Sequence, residues 1–74
     1  MYAIWESHVI KWFDADSFLP GKEVRTILIR YENLGSNGYE VGRYEDSQWI
    51  SLQQELIEDD GTIVTHWAFI EEPM

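Results

Sequence analysis

The stretch Thr62-Ile63-Val64-Thr65-His66-Trp67-Ala68-Phe69-Ile70 limits the fold more than any other part of this chain. It is the densest run of β-branched and aromatic residues, it follows an Asp60-Gly61 turn signal, and it gives way to Glu71, Glu72 and Pro73. Such side chains suit a pleated, half-buried surface. The stretch is therefore expected to be the strand against which the other elements pack. Strand alternation would place Val64, His66 and Ala68 on one face and Ile63, Thr65, Trp67 and Phe69 on the other.

Partners for that strand are legible upstream. Residues 23–31, Glu-Val-Arg-Thr-Ile-Leu-Ile-Arg-Tyr, form a nearly continuous apolar run, as expected of a strand with both faces partly covered. Residues 32–38 carry two glycines, two asparagines and a serine, and Asn37-Gly38 is the pair best suited to a hairpin turn. Tyr39 to Tyr44 would return antiparallel, with Gly42 as a bulge candidate. Glu45-Asp46-Ser47 reads as the next turn, and Gln48 to Leu52 as a short strand.

Two segments are ambiguous. In residues 1–13, Tyr2, Ile4, His8, Ile10 and Trp12 share a strand face, whereas Tyr2, Trp5, Val9 and Trp12 share a helix face. The β-branched and aromatic content favours the strand. Residues 14–22 read as a loop, with Asp14, Asp16 and Pro20-Gly21 as its turn signals. In residues 50–58, Trp49, Leu52 and Leu56 sit at helical spacing, but Glu58, Asp59 and Asp60 would crowd the negative end of a helix dipole. A strand entering the Asp60-Gly61 hairpin is preferred. The expected fold is mainly β: one small antiparallel sheet, a meander of four to five strands, with one short helix as the α+β alternative.

At 74 residues the chain is a single domain, 1–74. A domain of this size buries only about 60% of the surface its unfolded chain exposes. It has no cysteine, so neither a disulfide nor a thiolate-held metal reinforces the core. Four Trp, four Tyr and three Phe must supply the burial instead, or homo-oligomerisation must add to it. The start Met1-Tyr2-Ala3-Ile4-Trp5-Glu6 has no basic residue leading into an apolar run. No segment approaches the roughly 20 apolar residues of a membrane span. The expectation is a cytoplasmic protein.

The net charge of −9 is unevenly placed. Residues 1–43 hold all five basic residues, Lys11, Lys22, Arg25, Arg30 and Arg43, against six acidic ones. Residues 44–74 hold eight acidic residues and no basic one. A field of that sign repels phosphate backbones and anionic headgroups, which disfavours direct nucleic-acid or membrane binding and admits a basic protein partner. The acidity also has a plainer use, keeping a tryptophan-rich domain soluble.

Catalytic chemistry finds little support. Gly35-Ser36-Asn37-Gly38 is turn chemistry, not a Gly-x-Ser-x-Gly elbow, and there is no glycine-rich phosphate loop ending in Lys-Ser/Thr. Asp14-Ala15-Asp16 does not continue as a calcium loop, since Phe18, Leu19 and Arg25 stand where a donor, a glycine and a glutamate are needed. His8 and His66 are the only imidazoles, too few and too far apart for a metal set. No enzyme, metal or cofactor is expected. The binding candidates are His66, Trp67, Trp49 and Tyr44, with Glu55, Glu58, Asp59 and Asp60 as an acidic surface. For each a structural role competes: His66 fixing the sheet through a ring nitrogen bonded to a carbonyl or carboxylate, Trp67 filling the core, the carboxylates merely solvating a turn.

Trp12, Leu19-Pro20, the strand from Val24 to Ile29, Gly42-x-Tyr44, Trp49, Val64-Thr65-His66-Trp67 and Pro73 recur here in a familiar order. Across residues 12–73 the chain resembles a family of small bacterial, phage and prophage proteins known as domain of unknown function 551. The family pattern has prolines soon after its final Trp, where this chain has Phe69 and Glu71, and residues 1–11 extend beyond its usual start. The resemblance implies a phage or prophage setting and no particular chemistry. Together with the aromatic excess it leads to a non-enzymatic protein-interaction module as the expected function. The alternatives are an acidic nucleic-acid mimic that blocks a DNA- or RNA-binding host protein, and a small-molecule or metal binder using His66.

Overall fold

The computed structural model describes residues 10–70. They form one antiparallel sheet of five strands: β1 (Phe13–Asp14), β2 (Ile27–Asn33), β3 (Ser36–Glu45), β4 (Gln48–Ser51) and β5 (Ile63–Phe69). The spatial order is β1-β5-β2-β3-β4. Thus β2, β3 and β4 make a meander, and β5 returns across the sheet to lie between β1 and β2. No helix occurs among the described residues, and none is long and apolar enough to cross a membrane. Of the ambiguous residues 1–13, residues 1–9 fall outside the described residues, as does the proline at position 73; residues 10–12 are neither helix nor strand, and only Phe13 is in a strand.

The β2–β3 hairpin turns three residues earlier than Asn37-Gly38 would suggest. Its two-residue loop is Leu34-Gly35, with φ of 51° and 85°, the positive values a type I′ turn requires. Asn37 and Gly38 lie within β3 instead, opposite Glu32 and Tyr31. The reason is register. A turn at Asn37-Gly38 would set Asp46, which belongs to the next turn, opposite the buried Ile29. The observed register pairs Ile29 with Glu40 and Tyr31 with Gly38, and leaves Asp46-Ser47 free to reverse the chain into β4. Asn33 then ties this hairpin end to the turn before β5, its Nδ2 donating to Thr62 Oγ1 at 2.6 Å and to the Asp60 carbonyl at 3.2 Å.

Gly42 is not a bulge. It is buried and in register with Ile27 on one side and Ser51 on the other. A Cβ there would collide with the Ile50 carbonyl, so the residue lets β3 and β4 approach closely. The irregularity sits in β5, where Arg30 pairs with His66 and the next residue, Tyr31, pairs with Val64. Thr65 is the extra residue. Its hydroxyl accepts from Arg30 Nη1 at 2.7 Å and donates to the Arg30 carbonyl at 3.3 Å, and its own carbonyl accepts Ala15 N–H at 2.9 Å. Simple alternation from Ile63 to Phe69 therefore fails: Val64 and Trp67 both point into the core.

That core is Ile27, Ile29, Trp49, Ile57, Val64 and Trp67, with Phe13, Ala15, Tyr31 and Tyr44 packed against it. Phe13 stacks on Trp67 with ring centroids 4.7 Å apart, across the β1–β5 pair that matches the two residues. The segment after β1 folds over this face, and the Phe18 carbonyl accepts the Trp67 indole N–H at 2.8 Å. The segment between β4 and β5 closes the other side with Ile57. Residues 53–59 are thus neither helix nor hairpin strand. Ile57 N–H bonds the Trp49 carbonyl at 2.9 Å, Leu56 makes a single bridge to Ile50, and the Asp60-Gly61 turn delivers the chain to β2's flank. One sheet with two covering loops gives a thin core. Each buried Trp removes about 150–250 Å² from water, roughly 4–6 kcal/mol as an upper figure at about 25 cal/mol per Å².

Candidate functional site

The aromatic candidates are packed in or against the core. Trp67 and Trp49 are 3% and 6% exposed. Tyr44 is half-buried with its ring 4.6 Å from that of Trp49, its cross-strand neighbour. Trp49 and Trp67 are therefore core side chains, with Trp49 also bordering a surface concavity beside Leu56 and Glu58. Their sequence signal, a large aromatic flanked by β-branched or aliphatic residues, is the same for either role.

His66 lies on the opposite face from Trp67, between Asp14 of β1 and Arg30 of β2. It is half-buried, and its Nδ1 is fully enclosed without a hydrogen-bond partner. The expected bond from a ring nitrogen to a carbonyl or carboxylate is absent at this atom. Arg30 turns its guanidinium away to Thr65 and to Glu32, the latter at 3.1 Å. Among the described residues no three His, Asp or Glu side chains gather where they could hold a metal ion.

The four acidic candidates are brought together. Glu55, Glu58, Asp59 and Asp60 are all exposed on the loop joining β4 to β5. Two of them also shape it: Glu58 Oε2 accepts Val64 N–H at 2.9 Å, and Asp59 Oδ1 accepts Asp60 N–H at 3.0 Å. Neither ion pair among the described residues involves them, since Arg30 pairs with Glu32 and Arg43 with Glu45. One basic side chain does reach the loop, Arg43, whose Nη2 donates to Gln54 Oε1 at 2.7 Å.

Sequence reasoning passed over what accompanies those carboxylates. Leu52, Leu56 and Ile63 stand 57%, 49% and 62% exposed on or beside the same loop. Leu52 and Leu56 looked like one face of a helix. Their neighbours Gln53, Gln54 and Glu55 were the available hint that this segment is too polar to bury. Ser51, buried at 3%, holds the loop in shape. Its Oγ accepts the amides of Gln53 and Glu55 at 3.2 and 3.3 Å, and its N–H donates to the Glu55 carbonyl at 2.8 Å.

Two concavities lie on the described surface. One of about 200 Å³ lies between the 20–25 segment and the sheet, walled by Pro20, Glu23, Arg25, Tyr44 and Phe69, with the Arg25 guanidinium 4.7 Å from the Phe69 ring centre. This is below the roughly 300 Å³ at which small-molecule pockets begin, and Glu23 opposes the charge of Arg25. The second, about 100 Å³, lies between Trp49, Leu56 and Glu58, next to the acidic loop. Neither is lined by His66. No family model matches the chain, and no curated protein or solved structure matches it.

Proposed function

We propose that this chain is a non-enzymatic protein-interaction module that docks a basic, partly apolar protein surface through the loop between β4 and β5. One observation carries the reading: Glu55, Glu58, Asp59 and Asp60 share an exposed loop with the equally exposed Leu52 and Leu56. Carboxylates outside any internal ion pair steer a cationic partner, and aliphatic side chains beside them supply area to bury once it arrives. The resemblance through Trp12, Leu19-Pro20 and Val64-Thr65-His66-Trp67 supports a phage or prophage setting, with action in the cytoplasm of a bacterial host. The test is a titration with a lysine-rich amphipathic peptide, followed by backbone amide shifts. Saturable shifts confined to residues 52–60 and 63, weakened by added salt, are expected. Shifts absent there, or spread evenly over all carboxylates, reject the reading.

The same unpaired carboxylates favour a second reading, an acidic mimic of nucleic acid that occupies a DNA- or RNA-binding protein. It differs in one outcome. A mimic is displaced from its partner by duplex DNA or by RNA, whereas a module docked through its leucines is not.

A further inference from the structure

In an antiparallel ladder, successive residues direct their N–H and C=O groups to opposite neighbours. The two-residue turn at Asp46-Ser47 makes Glu45 and Gln48 a bonded pair, so Glu45, Arg43, Val41, Tyr39 and Asn37 all point away from β2. β4 ends at Ser51, opposite Gly42, and Leu52 N–H reaches the Val41 carbonyl at 3.3 Å. Beyond it, the backbone groups of Asn37 and Tyr39 have no partner among the described residues. The flanks of β4 and β5 are partly covered. On β4, Ile57 N–H meets Trp49 and the Glu55 carbonyl meets Ser51. On β5, β1 and the Glu58 carboxylate do the same. The usual guards of an exposed edge, a lysine, a proline or a bulge, are missing from Ser36 to Tyr39.

We propose that this edge pairs with the same edge of a second copy, antiparallel about a two-fold axis through Gly38, joining two sheets into one. This inference is independent of the acidic loop. Three features fit a second copy. Charge is the first: residues 33–39 are uncharged in a chain of net charge −9, and the register sets Glu40 opposite Ser36 of the second copy, so no carboxylates face each other. Shape is the second. Gly38 brings no side chain to the axis, and a Cβ there would sit 2.6 Å from the Tyr31 hydroxyl that covers it. Asn37 then faces Tyr39 of the second copy, each pair closed by reciprocal N–H···O bonds. The third lies at the ends. The register brings the turn carrying Leu34, 94% exposed, against Leu52 of the second copy, 57% exposed, and it does so at both ends by symmetry. An axis through Tyr39 would instead need the Val41 carbonyl, which Leu52 already uses.

Sedimentation equilibrium over a concentration series, with amide hydrogen exchange of Asn37 and Tyr39 on the same samples, tests this. A monomer–dimer equilibrium is expected, with both amides gaining protection as the dimer fills. Asn37→Pro removes an outward N–H that no internal bond uses, so dimerisation should weaken about tenfold or more. Near-ultraviolet circular dichroism of the tryptophans reports whether that variant is folded. A monomer at all concentrations overturns the proposal, as does protection of these amides in a monomer or a dimer whose formation leaves them exchanging freely.

Discussion

Val64 and Trp67 stand three residues apart on β5 and yet fill the same core, because Thr65 is inserted between them as a bulge opposite Arg30. The bulge is held from both sides by the Thr65 hydroxyl on Arg30 and by the Thr65 carbonyl on Ala15. In a regular ladder of the same sequence, one of the two side chains would face away from Ile29.

Thr65→Val keeps the branched shape and removes the hydroxyl. Its cost should be about 1–2 kcal/mol, read from the urea midpoint, since both hydrogen bonds to Arg30 go and one involves a charged donor. Deleting Thr65 altogether would leave Val64 and His66 opposite Tyr31 and Arg30 as they are now, with Val64 and Trp67 two positions apart on the core face. Cooperative unfolding should therefore persist at reduced stability, through loss of the bonds to Arg30 and Ala15.

Trp67 unites packing and a hydrogen bond, and two variants separate them. Trp67→Phe keeps most of the stacking on Phe13 and loses the bond to the Phe18 carbonyl, for about 1–1.5 kcal/mol. Trp67→Ala should cost roughly 3–5 kcal/mol, enough to unfold so small a domain. Thermal melts compare the three.

Gly42→Ala drives a methyl into the Ile50 backbone, which cannot yield without parting β3 from β4. A loss of about 1–3 kcal/mol is expected. Gly38→Ala meets only the Tyr31 ring end, which can swing aside, and should be milder. If Gly42→Ala were the more stable of the two, the close approach of these strands would be wrong.

His66→Leu tests the enclosed Nδ1. An unpaired buried nitrogen costs about 1–3 kcal/mol, so replacing the ring with an aliphatic side chain should leave stability unchanged or raise it. A loss above about 2 kcal/mol would mean that His66 makes a bond essential to the sheet.

What the sequence made legible was element type: β2 to β5 were marked by β-branched and aromatic runs, and the single antiparallel sheet followed from them. Register was not legible. Asn37-Gly38 has better turn chemistry than Leu34-Gly35, and only the later Asp46-Ser47 turn and the buried Ile29 decide between them. The bulge at Thr65 escaped as well, since threonine suits a regular strand equally well and the deciding partner, Arg30, is distant in sequence. At the candidate site the carboxylates were legible as charge. The exposure of Leu52 and Leu56 was not, because burial depends on Ile57 taking the core position beside them.

The central claim, that the acidic loop is a docking surface, is tested most directly by capture from a bacterial host lysate. The wild-type chain is compared with a Glu55→Lys, Asp59→Lys double variant, both shown to be folded by the circular dichroism of their buried tryptophans. The Glu55 side chain makes no hydrogen bond among the described residues and that of Asp59 makes only the local bond to Asp60 N–H, so the core should persist. The account predicts a basic protein retained by the wild type, released by moderate salt, and lost in the double variant. Equal retention by both chains, or no protein retained by the wild type, would contradict it.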